Sequence, residues 1–506
     1  CSVADGNGGS IAFAIATGTF TNCTTNTLGF GYLGNATGTF TDCSCLTGFG
    51  YGDGLTVSGT FTNCKAQSNS FGFNIAGATT VTGKFYRCTA DAASFGNSAS
   101  GAYFEDCTVA NLGFGPPSFA ATMAGTYVRC KGGVGSFGII NGSVLSGSFT
   151  DCEGGANSFG GGATCTLSGT FTRCIGGANS FGQQSSVLSG TFTSCIGGNA
   201  CFGYGASSAT ISTLSGKFYY CKGGDDCFGR NSSITSAAIF DHCNGGDRCF
   251  GQGANGLSGQ GCAGTFKHCN AGAASFGAGM TATIKVAGKF YHCTAGNGSF
   301  AAGAGSEASG NFYYCTSGNT SFGAAIDSGL GEDPIASGVF VGCVGGGSCF
   351  GSTSGSGDTQ ATGTFTDCTA GENSFGGIPA GSTGVSTFSG VATNCNALDN
   401  SFGSSEDSNS INSGTMINCR LDTNSWRSPF TGRMDGCVIT SSNRPITVDT
   451  GAFVINTTLI GPTGTAGVSG TGTVAIAHCR MVAAGIVGGV TNSIGTPYNV
   501  IDDDIV

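Results

Sequence analysis

Charge is scarce in this chain. Of its 506 residues only 9% are Asp, Glu, Lys or Arg, and the formal net charge is −10, so no basic face is available for phosphate backbones and no nucleic-acid partner is expected. Long apolar runs are missing too. None approaches 18 residues, and no basic-then-apolar segment opens the chain, so neither a membrane span nor a signal peptide is expected. Leu/Ala heptads and Leu-rich asparagine motifs are absent, and the repeating units are too short for two helices.

Glycine, phenylalanine and cysteine are abundant, at 95, 38 and 28 residues. The cysteines recur near every 22 residues within one pattern: Gly-Thr-Phe-x-x-Cys, then Ser-Phe-Gly with its Phe seven residues on. The first-motif cysteines are Cys23, Cys43, Cys64, Cys88, Cys107, Cys130, Cys152, Cys174, Cys195, Cys221, Cys243, Cys269, Cys293, Cys315, Cys343, Cys368, Cys395, Cys419 and Cys437. A period of this length means stacked units that cannot bury their apolar faces alone. Two aromatic columns accompany it. One lies three residues before the Cys, from Phe20 to Phe365; the other lies seven after it, from Phe30 to Phe402 and then Trp426. Short strands joined by glycine turns predict an all-β fold, a single-chain parallel β-solenoid.

The residue before each Cys supplies an independent register, because in-register coils stack side chains about 4.8 Å apart. From Cys88 the column reads Arg87, Asp106, Arg129, Asp151, Arg173, an alternation expected to set each guanidinium between two carboxylates. It continues Ser194, Tyr220, His242, His268, His292, Tyr314, so three of the four histidines fall in consecutive coils. Val454-Ile455-Asn456-Thr457 and Ile476-Ala477-His478-Cys479 extend the motif, giving about 21 coils of roughly 23 residues. Such a body would be roughly 100 Å long at the interstrand spacing.

Simple alternation would send Phe and Cys to opposite faces. A two-residue bend between them lets both point inward. Phe20-Thr21-Asn22-Cys23, Phe61-Thr62-Asn63-Cys64 and Ala392-Thr393-Asn394-Cys395 carry the shape of such a bend. Here the chain resembles the pectate-lyase-like right-handed parallel β-helix family, in which Phe-x-Asn-Cys crosses a bend and the Asn stacks into a ladder. The resemblance implies right-handed coils. It implies no activity, because the family's carboxylate cluster has no counterpart and the Asn place is often Asp, Arg, His or Tyr. Organisation is read as a regular solenoid over 1–437, degenerate last coils over 438–480 and a C-terminal cap or assembly segment over 481–506.

One thiol per coil, where a small apolar residue would serve, reads as a reduced packing column. Neighbouring cysteines in a ladder have parallel side-chain vectors, poor geometry for a disulfide, so folding in a cytosol is expected. Cys201, Cys227, Cys249 and Cys349 replace the Ser of Ser-Phe-Gly. Alternation from the next Phe would aim them outward, as Ser-like turn residues or else toward a metal or a covering partner. Cys1 lies in ladder phase, 22 residues before Cys23, which suggests a start cut through the solenoid; a lipid-modified mature N-terminus competes.

The segment Met481–Val490, the stretch Thr491–Val500 and the acidic Asp502-Asp503-Asp504, together with Gly-rich coils carrying Phe and Thr, resemble β-helical tail fibre and tailspike proteins of bacteriophages. The resemblance implies a virion appendage, trimeric by analogy, bound to other virion proteins and assembled in a bacterial cytoplasm. Three functions follow: a non-enzymatic rod or fibre contacting host surface glycans; a polysaccharide depolymerase; and a secreted, extracellular adhesin or ice-binding solenoid. The weak catalytic candidates are Asp225, Asp226 and Asp247, near Arg230 and Arg248, which read equally as polar turns; paired carboxylates would suit glycoside cleavage. The ice-binding reading rests on Thr-Phe-Thr coils, whose outward rows Lys-Phe-Tyr and Asn-Phe-Tyr interrupt. The binding candidates are Tyr219, Tyr220, His242, His268, Tyr291, His292, Tyr313 and Tyr314, an outward aromatic strip whose competing role is a stacked turn ladder serving stability. The long coil from Cys315 to Cys343, with Gly331-Glu332-Asp333-Pro334, should place a loop on one side. No cofactor and no metal are expected.

Overall fold

The computed structural model of the chain describes residues 15–502 apart from 26–28, 53, 68–69, 73–78, 93, 96–97, 100, 116–119, 206–210, 252–260, 280–283, 326–332, 355–356, 380–381, 404–409, 424–429, 442–445, 449–450, 470–471, 488–489 and 493–499. Cys1, Trp426, Gly331, Glu332, Asp503 and Asp504 therefore lie outside the described residues. Two compact units result, Cys1–Gly246 and Asp247–Val506. Each is a parallel β-solenoid of the right-handed type, and no described residue is helical.

The Thr-Phe-Thr triplet, or the three residues in its place, forms a strand in each coil. In the first unit Thr170–Thr172 pairs in parallel with Thr191–Thr193, placing Phe171 on Phe192. In the second, Lys289–Tyr291 pairs with Asn311–Tyr313, placing Phe290 on Phe312. A second strand precedes it in the coil, as where Thr166–Leu167 meets Val187–Leu188 with Leu167 on Leu188. At both ends that second strand is reduced to single parallel bridges, as between Ala16 and Ala36 and between Phe430 and Val448, and the solenoid shows about 17 turns instead of the about 21 counted in the sequence. Toward the C-terminus the strands lengthen. Thr458–Ser469 runs parallel to Arg480–Val487, which in turn pairs with Val500–Asp502.

Corners decide which residues point inward. The residue before each Cys is left-handed: φ is 50° at Asn22, 51° at Arg173, 55° at Tyr220 and 52° at His292. One such residue reverses the alternation, so the bend takes one residue and not the two expected, and Phe and Cys share the interior. The Phe of Ser-Phe-Gly is left-handed as well, at 53° for Phe202 and 58° for Phe350. Its Ser and its Phe therefore both turn inward.

This corrects the outward placement of the second cysteine set. Cys201, Cys227, Cys249 and Cys349 are fully buried. The Cys201 thiol donates to the Gly177 carbonyl at 3.2 Å, and Cys227 to that of Gly198 at 3.1 Å. The Cys201 amide in turn donates to the Cys227 sulfur at 3.3 Å. Ser158 does the same with Ser180 Oγ at 3.2 Å. Cys and Ser fill one column because each supplies a small group that both donates and accepts across coils.

The glycine before Thr-Phe-Thr answers to a close approach. A Cβ on Gly169 would sit 2.2 Å from the Gly147 carbonyl oxygen, and one on Gly310 2.3 Å from that of Gly288. Ala102 and Ala238 are the exceptions in the first unit.

Inside, the two aromatic columns stack at the coil repeat. Phe171 lies 4.8 Å from Phe149 and 4.8 Å from Phe192 with nearly parallel rings, and meets Phe181 of the other column edge-on at 6.2 Å. In the second unit Phe290 meets Phe300 at 5.5 Å and 89°. Aromatic pairs favour separations of this size. All 27 described cysteines are buried and none forms a disulfide. Column thiols donate to the carbonyl of the Phe in the preceding coil: Cys195 to Phe171 at 3.3 Å, Cys343 to Phe312 at 3.4 Å. Burial pushes the Cys349 thiol up to about 12, which opposes thiolate formation and reactivity.

Phe171→Ala should leave a cavity between two stacked rings and cost about 3–5 kcal/mol, read as a lowered denaturant midpoint; an unchanged midpoint would contradict the ladder. A thiol reagent should find nearly no reactive cysteine in the native protein. In denaturant without reductant it should find all 28; a count below half would mean disulfides.

Candidate functional site

The outward faces of the Thr-Phe-Thr strands, with the left-handed residue that follows, carry the polar side chains on which function could rest. Their columns change character along the chain.

In the first unit the run is ionic. Asn63 donates to Asp42 at 2.9 Å, and Arg87 Nε donates to Asn63 Oδ1 at 2.8 Å. Arg129 grips Asp106 with Nε–Oδ1 at 2.7 Å and Nη2–Oδ2 at 3.0 Å, and also reaches Glu105. Arg173 holds Asp151 at 2.6 and 2.7 Å. Arg129 and Arg173 thus each bind the carboxylate of the coil before them bidentately, in place of sitting evenly between two, while Arg87 meets the Asn63 amide oxygen. Lys131 and Glu153, one column over, meet at 3.2 Å. The Arg129 and Arg173 guanidinia hold the Asp106 and Asp151 carboxyls below the usual carboxylate range.

Further along, rings replace ions. In the first unit Tyr220 stacks on His242 at 4.9 Å, and His242 Nδ1 lies 2.7 Å from Asp241 Oδ1. Tyr219 pairs across strands with Asp241. In the second unit His268 stacks on His292 at 5.1 Å and 5°, and His292 on Tyr314 at 5.1 Å. Alongside, Tyr291 stacks on Tyr313 at 5.1 Å with Lys267 next in register. The Tyr314 ring is received by Gly342, where a Cβ would lie 2.5 Å from the ring. All eight expected strip residues face outward; Tyr220 and Tyr314 are each 56% exposed. Because the rings face one another, what they offer solvent is edges: phenol hydroxyls and imidazole nitrogens.

The three acidic candidates have structural partners. Asp247 Oδ1 accepts the Ala273 amide at 2.8 Å, as Asn297 Oδ1 accepts that of Asn319 at 2.9 Å and Asn199 Oδ1 that of Asp225 at 3.1 Å. Asp225 Oδ1 lies within 2.1 Å of where a Gly246 Cβ would project, in the same kind of place. Asp226 is paired with Arg230 at 3.0 Å. This Asn/Asp column was missed in the sequence, although its spacing before Ser-Phe-Gly repeats from coil to coil. Among the described residues no group of three or more His, Cys, Asp or Glu could hold a metal ion, and no helix is long and apolar enough to cross a membrane.

No protein-family model, curated protein or solved structure matches the chain.

The ionic run yields a signed test. Carboxyls that sit lower folded than unfolded add stability above the ordinary carboxylate range and lose it as pH falls through their depressed values. Exposed pairs are worth about 0–1 kcal/mol each. Arg129→Glu, which sets a carboxylate against Glu105 and Asp106, should lower the denaturation midpoint modestly at neutral pH and narrow its gap to wild type near about pH 3; an equal gap at both would place the effect elsewhere.

Proposed function

We propose that the chain is a non-enzymatic structural rod or fibre of a phage particle, assembled in a reducing cytoplasm and touching the host surface through its aromatic strip. The observation that carries the reading is the set of 27 buried, unbridged thiols, most of them stacked in one column. A secreted β-solenoid with a cysteine in nearly every coil would gather its thiols in an oxidising compartment, whereas a cytoplasmic assembly keeps them as small hydrophobes. The engaged carboxylates of Asp226 and Asp247 favour a binding role for the outer faces over glycoside cleavage. The exposed strip on the Thr-Phe-Thr face supplies a surface for contact. Assembly with identical chains and with other virion proteins belongs to the same reading.

Antibody labelling of intact particles, imaged by electron microscopy, tests it. Label on a fibre or spike is the expected result; a chain found only as a free secreted monomer would end the proposal. Tyr291→Ala with Tyr313→Ala should weaken attachment of particles to cells by about ten-fold, a loss of roughly 1.4 kcal/mol, with the solenoid still folded. Full attachment would reduce the strip to a stability ladder.

A further inference from the structure

The second unit carries its strip on an uncommon patch of charge. Between residues 261 and 325 the only carboxylate is Glu307, against Lys267, Lys285, Lys289, His268 and His292. Glu307 belongs to the other strand, Glu307–Ala308, and is held there by Lys285 at 3.0 Å and Ser337 at 2.8 Å. The outward face of three successive Thr-Phe-Thr-type strands is then a grid without an acid. Its columns are Thr265, Lys289 and Asn311; Lys267, Tyr291 and Tyr313; and His268, His292 and Tyr314. Lys267, Lys289, His268, His292 and Tyr314 are exposed, and the rest are partly so. In a chain of net charge −10, a cationic, acid-free face is a local exception.

We infer that this grid binds a linear polysaccharide bearing carboxylates. The inference rests on the reading that the strip touches host glycans, and it names their chemistry. Every one of the nine side chains can donate a hydrogen bond, and Lys267 and Lys289 can donate with charge, the stronger kind toward a carboxylate. The ring faces are spent on one another, so sugars meet hydroxyl and nitrogen edges and not aromatic faces. Those edges recur coil after coil, with ring centroids 5.1 Å apart, which suits a polymer lying along the face. The two lysines can each meet a carboxylate while the seven uncharged donors meet the polymer's hydroxyls; a DNA backbone offers those donors no hydroxyls and calls for many more cations.

The full chain is tested by titration in low salt against polygalacturonate, its fully methyl-esterified form and single-stranded DNA. Polygalacturonate should bind, weaken as salt rises, and lose at least about ten-fold in affinity on esterification. The double variant Lys267→Gln, Lys289→Gln should lose a similar factor for the acid polymer with an unchanged thermal unfolding curve, since both side chains are exposed. Equal binding of the esterified polymer would overturn the carboxylate inference while leaving glycan contact standing. DNA binding as tight as polygalacturonate, full affinity in the double variant, or no binding of the acid polymer at all would each overturn it, without touching the particle-labelling result.

Discussion

Everything in each unit follows from one coil lying in register on the next. Strand pairing at the interstrand spacing sets every side chain on its counterpart in the neighbouring coil, so a residue choice is repeated as a column. Phe on Phe, Cys under the carbonyl of Phe, and Ser or Cys handing a hydrogen bond from coil to coil are three consequences of that single registration. Most interior polar groups are acceptable here because a column can satisfy itself, the Cys201 amide on the Cys227 sulfur being an instance. The carbonyl that blocks a side chain at Gly169 is part of the same registration.

Sharp corners are the other side of that arrangement. Left-handed backbone at Arg173, Tyr220 or His292 costs about 1–2 kcal/mol for an L-residue, yet these bulky residues occupy the corner. What offsets it lies along the axis: bidentate contact for Arg173 and ring stacking for Tyr220 and His292. The Arg/Asp run and the Tyr/His strip are thus two solutions to one local problem, and the strip differs in leaving donor edges toward solvent.

The period made the ladders legible from the residues alone, since Phe171, Cys174 and Phe181 recur at fixed offsets and stack where that predicts. Alternation counting failed where backbone handedness changed. Cys201 and Phe202 are adjacent, so period-two reasoning set them on opposite faces, and only the left-handed φ at Phe202 brings both inside. Asp225 and Asp247 were ambiguous for another reason: carboxylates in a glycine-rich turn look the same whether they await a substrate or accept a neighbouring amide. The stacked His268 and His292 were foreseeable because their column was already fixed by the cysteines.

The corner before each Cys keeps its spacing to the Phe, while total coil length varies from 18 residues between Cys419 and Cys437 to 28 between Cys315 and Cys343. Length change is confined to the arc outside the Phe-to-Cys segment. A gene encoding such a chain can gain or lose whole coils by unequal recombination, or lengthen one arc, and still present every conserved-looking column unbroken. A one-residue insertion between Phe and Cys has no such freedom, because it would turn a thiol outward and its neighbour in.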